Sequence, residues 1–337
     1  MFSASHSRYL PCLLGLCFAS AGCSAPPTKT DAGIFPNVTA SVSWLFPLNP
    51  PSTGGNTVID GMAPLHLANS RLEFTKAQLT DLYYAPDWHP ESHSPIPEIV
   101  LRGHAPRTFA CGFCHLPSGQ GRPENAALAG LPAAYIVDQI ADFKSGARRS
   151  AWHGAPYLPF DLMREVAANA DEADVTAAAA YFSAQKLRPR VTVIERARIP
   201  RMRAANWIYG VDPRGGNELL GERLIEWAPD ESRHENRDDE MRYVAFVPPG
   251  SVNRGRKLAT ARRGELGQAC TACHGEHLQG TGSIPALAGR SPTYLLRQLV
   301  AFRTHDRAGM AGAPMQAVVA TLGLPDMIAL AAYAAAQ

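Results

Sequence analysis

Four of the chain's seven cysteines fall into two blocks, Cys111-Gly112-Phe113-Cys114-His115 and Cys270-Thr271-Ala272-Cys273-His274. Two thiols two residues apart can add to the two vinyl groups of a porphyrin, and a histidine directly after them lies under the metal as a proximal ligand. The spacing predicts covalent attachment of haem at Cys111, Cys114 and His115, and of a second haem at Cys270, Cys273 and His274. The expected cofactors are two covalently bound haem c groups with their iron. A zinc on four thiolates and a dithiol redox pair also use such cysteines. Neither requires a histidine after the second cysteine, and the two pairs stand far apart in the chain. Covalent haem is the favoured reading.

The blocks belong to a repeat. The second begins 159 residues after the first, and the offset persists beyond the motif. Gly121 matches Gly280, and Leu128-Ala129-Gly130 matches Leu287-Ala288-Gly289. Tyr135, Gln139, Phe143 and Arg148 match Tyr294, Gln298, Phe302 and Arg307. The offset then falls to 152, so that Met163 matches Met315, Asp174 matches Asp326 and Tyr181 matches Tyr333. Self-similarity of this length indicates a duplicated domain. Of the eight methionines only Met163 and Met315 align with each other. A thioether on the far side of the iron favours the ferrous state and suits electron carriage. The expected metal ligands are therefore His115 with Met163 and His274 with Met315. His153 competes for the first iron and Met310 for the second, and either methionine could instead fill a core.

These groups need helices to hold them. Tyr135, Gln139 and Phe143, like Tyr294, Gln298 and Phe302, are spaced four apart, which predicts one helix of about 12–14 residues per copy. Alanine-rich helices are expected near 171–185 and 323–336, opening near Asp171 and Pro325. Short helices are expected before each block, from Pro97 to Gly103 and from about Val252 to Ala261. Thr75 with Gln78 fits a capping box. The aromatics Trp44, Phe46, Tyr83, Tyr84 and Trp88 are expected to pack on the first domain. Between the copies, Val191, Val193 and Tyr243–Val247 have strand character, which predicts a two- or three-stranded ribbon. The charged stretch from Pro229 to Glu240 reads as a solvated loop.

The formal net charge is +2 in 337 residues, too balanced for a nucleic-acid partner. With 46% apolar and 18% charged residues the chain can bury a core. No run approaches 18 uninterrupted apolar residues, which excludes a multi-spanning membrane protein. Arg8 precedes an apolar stretch from about Tyr9 to Ala19, and Ser20-Ala21-Gly22 leads into Cys23. This pattern predicts a signal peptide over 1–22, of the lipoprotein type with Cys23 as the lipidated residue. The expected location is the periplasm, anchored to the membrane. The domain reading is then 23–95 for an N-terminal tether and aromatic-rich segment, 96–187 for the first domain, 188–247 for a linker with a β-ribbon, and 248–337 for the second domain.

The residues Cys111–His115, Leu128-Ala129-Gly130, Tyr135, Met163 and Asp174–Tyr181, with their partners in the second copy, resemble the tandem dihaem class I cytochromes c of bacterial periplasms. The likeness covers about 97–186 and 250–337. It implies a mostly α fold of two tandem class I cytochrome c domains, here joined by a short β-containing linker. It also implies a backbone carbonyl, offered by a loop proline, that binds the other nitrogen of the proximal histidine. Pro285 holds that place in the second copy. Ala126 holds it in the first, so a different orientation or potential is expected for the first haem. Arg148 and Arg307 are candidates for pairing with propionates, or else solvent-facing arginines. The implied function is electron carriage between a periplasmic dehydrogenase and an oxidase or reductase, without a catalytic residue. The alternatives are a cytochrome subunit of a membrane-associated dehydrogenase complex and a dihaem peroxidase.

Overall fold

The backbone around the two Cys-x-x-Cys-His blocks repeats bond for bond. The computed structural model describes residues 42–48, 61–154, 156–205, 207–262 and 267–337. The signal segment and Cys23 lie outside the described residues. The amide of Gly121 donates to the His115 carbonyl (2.9 Å), and Gly280 donates to His274 (2.7 Å). Leu128 and Ala129 both donate to Gly119, as Leu287 and Ala288 do to Leu278. The Leu-Ala-Gly loop is then pinned to the last helix of its copy, by Gly130 to Phe182 and by Gly289 to Ala334.

In the first copy, α2 (Glu98–Leu101) and α3 (Cys111–His115) precede α4 (Ala133–Ser145), α5 (Leu158–Asn169) and α6 (Glu172–Ala184); α1 (Lys76–Thr80) lies upstream. α1 opens with the reciprocal Thr75–Gln78 capping box. α4 stops at Gly146, whose φ of +76° is open to glycine at little steric cost. Asp171 caps α6 through the Asp174 amide at 2.8 Å. In the second copy, α8 (Ser251–Thr260), α9 (Cys270–His274), α10 (Pro292–Arg303), α11 (Ala313–Val319) and α12 (Leu324–Ala335) follow the same order. Ser291 caps α10, with Pro292 in its first turn. Met163 and Met315 thus sit on short helices of their own, α5 and α11, that the periodicity did not reveal.

The segment between the copies is more than a ribbon. Nine strands are described: β1 (Pro64–His66) and β2 (Glu73–Thr75) form a hairpin upstream of the first copy, and five others form one mixed sheet in the order β3 (Val191–Glu195), β9 (Tyr243–Val247), β8 (Ile225–Trp227), β6 (Ile208–Val211), β5 (Met202–Ala205). β3 runs parallel to β9, with Val191 opposite Tyr243 and Glu195 opposite Val247. β4 (Arg198–Pro200) and β7 (Asn217–Leu219) pair separately. Strands of three or four residues interrupted by arginines carry too little alternation to be read locally.

The stretch from Pro229 to Glu240 is likewise no solvated loop. It forms α7 (Glu231–Glu235), and His234, Asn236, Asp238 and Asp239 are buried. Its charges are consumed internally: Arg233 pairs with Asp238 at 2.5 Å, and Arg188 with Asp239 at 2.7 Å. The N-terminal aromatics divide between two cores. Trp88 packs edge-on against Phe74 in a core of the N-terminal segment and donates to the Asn236 carbonyl of the inter-copy segment at 2.7 Å, and Tyr83 donates to Pro106 on the first-copy side. Leu45 and Phe46 join instead the core built on α8, α10 and α12, and Phe46 bridges to Trp152 and Tyr157. No single helix among the described residues is long and apolar enough to cross a membrane.

Candidate functional site

The first block opens onto a cleft lined by residues of both copies. Cys111, Cys114 and His115 line one side of it and Met163 is also in its wall. The walls between are mostly apolar, with Leu128, Ile136, Phe143, Val166 and Phe182 among them. The polar rim comes from both copies: Arg148 and Arg149 from the first, Tyr294, Arg297 and Gln298 from the second. α10 of the second copy therefore closes the cleft of the first.

His115 is buried, and its Nδ1 lies 2.8 Å from the Ala126 carbonyl. His274 is buried too, with Nδ1 2.8 Å from the Pro285 carbonyl. A carbonyl can only accept, so each ring carries its proton on Nδ1 and leaves Nε2 as the free lone pair. Burial lowers the pKa of both imidazoles below the usual histidine value against the opposing effect of that carbonyl bond, and the Arg148 guanidinium lowers His115 further. Neutral imidazole is the metal-binding form. The expected difference between the copies at Ala126 is absent from this contact, because the bond uses the backbone and is indifferent to the side chain.

Cys111 and Cys114 are chemically quiet as thiols. Burial pushes Cys111 up to about 12 and raises Cys114 as well, which disfavours the thiolate that a dithiol redox pair needs. All four motif cysteines are free of disulfides. Nor are they gathered into one zinc cluster among the described residues. An apolar cleft edged by two thiols, a neutral histidine aligned by a carbonyl and a thioether in its wall fit a covalent haem. In the second copy, Cys270 and Met315 both pack against the core of α10 and α12, while Met310 is 91% exposed. His153 does not line the first cleft; it lies 3.1 Å from Asp306 on an exposed side chain.

Two features were missed from the sequence. Arg237, in the supposed loop, lies with its guanidinium 3.4 Å from the centre of the Phe113 ring, inside the first block. It donates to the carbonyls of Phe113 (2.8 Å) and Leu79 (3.0 Å), and burial pushes its pKa down. Arg148 and Arg307 are both buried rather than solvent-facing, and their partners lie across the two copies. The repeat marked these two positions, but nothing in the sequence said that they meet.

The cytochrome c family model matches residues 252–334. A thiosulfate dehydrogenase electron acceptor of Thiomonas intermedia (strain K12) is 28% identical over 235 residues, covering 69% of this chain and 80% of that one. Cytochrome c4 of Azotobacter vinelandii is 26% identical over 234 residues, 67% and 84% of the respective chains. Cytochrome c-554(547) of Halothiobacillus neapolitanus is 39% identical over 74 residues, 20% of this chain and 81% of that one. The chain belongs to the cytochrome c family, as a tandem dihaem member with two covalently attached haem c groups.

Proposed function

We propose that this protein is an electron carrier that takes electrons from a donor dehydrogenase and passes them to a terminal oxidase or reductase. Each bound haem supplies a one-electron ferric/ferrous couple. Cys111 and Cys114 would tether the first, and His115 and Met163 would hold its iron. Cys270, Cys273, His274 and Met315 would do the same for the second. The Ala126 and Pro285 carbonyls fix the two imidazole rings and strengthen them as ligands. The apolar walls exclude water, which keeps the iron in a low-dielectric pocket and favours the ferrous state. The observation that carries this reading is that His115 and Met163 share one cleft, whose rim is completed by Tyr294, Arg297 and Gln298 of the other copy.

The domain reading is two cytochrome c domains over 96–187 and 248–337, joined by the sheet-bearing segment 188–247. The chain is exported to the periplasm on a lipoprotein signal over 1–22 and anchored through Cys23. A dehydrogenase donor is supported by the likeness to a thiosulfate dehydrogenase electron acceptor. Redox titration of the holoprotein with visible spectra tests the carrier reading. Two low-spin centres, each with a methionine-to-iron charge-transfer band, are expected. Met163→Ala and Met315→Ala should each remove one band. A high-spin ferric centre that reacts with peroxide would favour a peroxidase instead.

A further inference from the structure

One buried polar cluster lies apart from the haem ligands. His89 (2% exposed) belongs to the N-terminal segment, and Asp238 (1%) and Asp239 (3%) follow α7. His89 Nε2 stands 3.4 Å from Asp238 Oδ1 and 3.9 Å from Asp239 Oδ1. The three ligand atoms lie within 4.8 Å of one another. The second oxygen of each aspartate is already occupied. Asp238 Oδ2 accepts from Arg233 at 2.5 Å, and Asp239 Oδ2 accepts from Arg188 at 2.7 Å and from the Ser118 hydroxyl. These pairings fix both carboxylates with Oδ1 near the imidazole.

The Asn69 amide nitrogen, which donates to Glu240 at 2.9 Å, lies 3.3 Å from His89 Nε2. The same imidazole nitrogen is within hydrogen-bond reach of Asp238 Oδ1; in the tautomer with the ring proton on Nδ1, beside Glu91 at 3.6 Å, Nε2 accepts from the Asn69 amide. Nε2 then presents a lone pair to two carboxylate oxygens. Asp238 Oδ1 accepts the Glu240 amide at 2.9 Å. Asp239 Oδ1 is buried and has no hydrogen-bond partner among the described residues. Burying such an oxygen unpaired is costly, and a cation resolves it.

We propose that His89 Nε2, Asp238 Oδ1 and Asp239 Oδ1 bind a divalent transition-metal cation, with Glu240 as the fourth ligand. Glu240 Oε2 lies 3.9 Å from His89 Nε2 on the half-exposed side, which gives the ion an entry path. One imidazole with carboxylates suits zinc, whereas calcium and magnesium take oxygen ligands alone. Ligand atoms at about 2.1 Å from a tetrahedral zinc stand about 3.4 Å apart, so these three atoms need little movement. The ion would tie the N-terminal segment and the inter-copy segment to Ser118, on the loop that leaves His115. Nothing in the electron-carrier reading requires it.

The test uses the full-length holoprotein, stripped with chelator and titrated with zinc chloride by calorimetry, with elemental analysis for non-haem zinc. A single zinc per chain is expected, with a higher Tm in excess zinc. His89→Gln and Asp239→Asn should keep the haem spectrum and weaken zinc binding by at least about tenfold. Glu240→Gln, on the half-exposed side, should weaken it without loss of fold even if the buried variants misfold. The proposal is overturned if the parent takes up no zinc, if magnesium chloride raises Tm as much as zinc does, or if these variants bind zinc as tightly as the parent.

Discussion

Arg148 and Arg307 occupy mirrored places and exchange partners. Arg148 donates to Gln139 of its own copy (2.8 Å) and to Tyr294 and Gln298 of the other (3.0 Å each). Arg307 donates to Gln298 of its own copy (3.3 Å) and to Tyr135 (3.2 Å) and Gln139 (2.7 Å) of the other. Each guanidinium lies over the phenylalanine of its own copy, Phe143 or Phe302. The two arginines also share an isolated antiparallel bridge. Four of these six bonds join the two copies, two from each cation. Arg307→Leu should cost about 2–3 kcal/mol, because buried Gln139 loses its strongest donor. Arg307→Lys should recover only part, since a single ammonium cannot reach three acceptors in a fork. Guanidinium denaturation followed through the haem absorbance checks both. An unchanged midpoint for Arg307→Leu would mean that the network contributes nothing net.

At Ala126 the first copy departs from the expected proline, yet its carbonyl meets His115 at the same 2.8 Å that Pro285 keeps to His274. The backbone conformation there is thus one that proline adopts in the second copy. Ala126→Pro should stabilise the holoprotein by about 0.4–1 kcal/mol by restricting the unfolded chain. The low-spin spectrum and potential of the first haem should not move. A fall in stability, or a high-spin first haem, would show that the two loops differ.

The haem motifs and the helix pattern were legible because both are local: fixed spacing in one case, a fourfold period in the other. At Ala126 a side-chain difference leaves the histidine's bond unchanged, because that bond is made by the backbone. β3 and β9 were legible as strands, but their parallel pairing and the short strands β5, β6 and β8 beside them were not, for the opposite reason. Val191 pairs with Tyr243 only after the whole intervening segment has folded. The burial of Asp238 and Asp239 depends on Arg233, on Arg188 and on Ser118 at the first block. The charge run looked solvated because its neutralising partners are distant in sequence. Arg148 and Arg307 were flagged by their equivalence, but a repeat shows which residues correspond and not which ones touch.

Gly255 should be intolerant of any side chain. It lies in α8 where that helix crosses α12, and a Cβ there would overlap the Ala329 carbonyl and stand 2.7 Å from the Tyr333 Cβ. Both obstacles belong to a buried helix, so neither can swing aside. Helix propensity alone would make Gly255→Ala favourable by about 1 kcal/mol. Overpacking costs about 1–3 kcal/mol, so a net destabilisation is expected, growing steeply for Gly255→Val. Thermal melts of the three proteins give the order. If Gly255→Ala melts higher than the parent, the helices can separate freely and the close crossing is not needed.

Glu226 gives a pH prediction. It is 2% exposed, and its Oε2 accepts from the Ser291 hydroxyl (2.6 Å) and the Thr293 amide (3.2 Å) at the start of α10. Burial raises its pKa, and the bonds from Ser291 and Thr293, with the charge of Arg297, only partly offset that. The folded protein therefore holds this proton more tightly than the unfolded chain. Above the ordinary carboxylate value the folded state binds more protons, so Glu226 makes stability fall as pH rises through its raised folded value. Glu226→Gln keeps an acceptor for Ser291 and Thr293 but cannot ionise. At neutral pH the variant should match or exceed the parent in Tm, and its advantage should shrink as the solution is taken down toward pH 4.5. Ser291→Ala, in contrast, should destabilise across the whole range by about 1 kcal/mol, because it removes the cap of α10, and by more at high pH, where the Glu226 carboxylate also loses a donor. Melts at intervals between pH 4.5 and pH 8 separate the two. A parent that gains on Glu226→Gln with rising pH would mean that the carboxylate is stabilised in its charged form, against the burial argument.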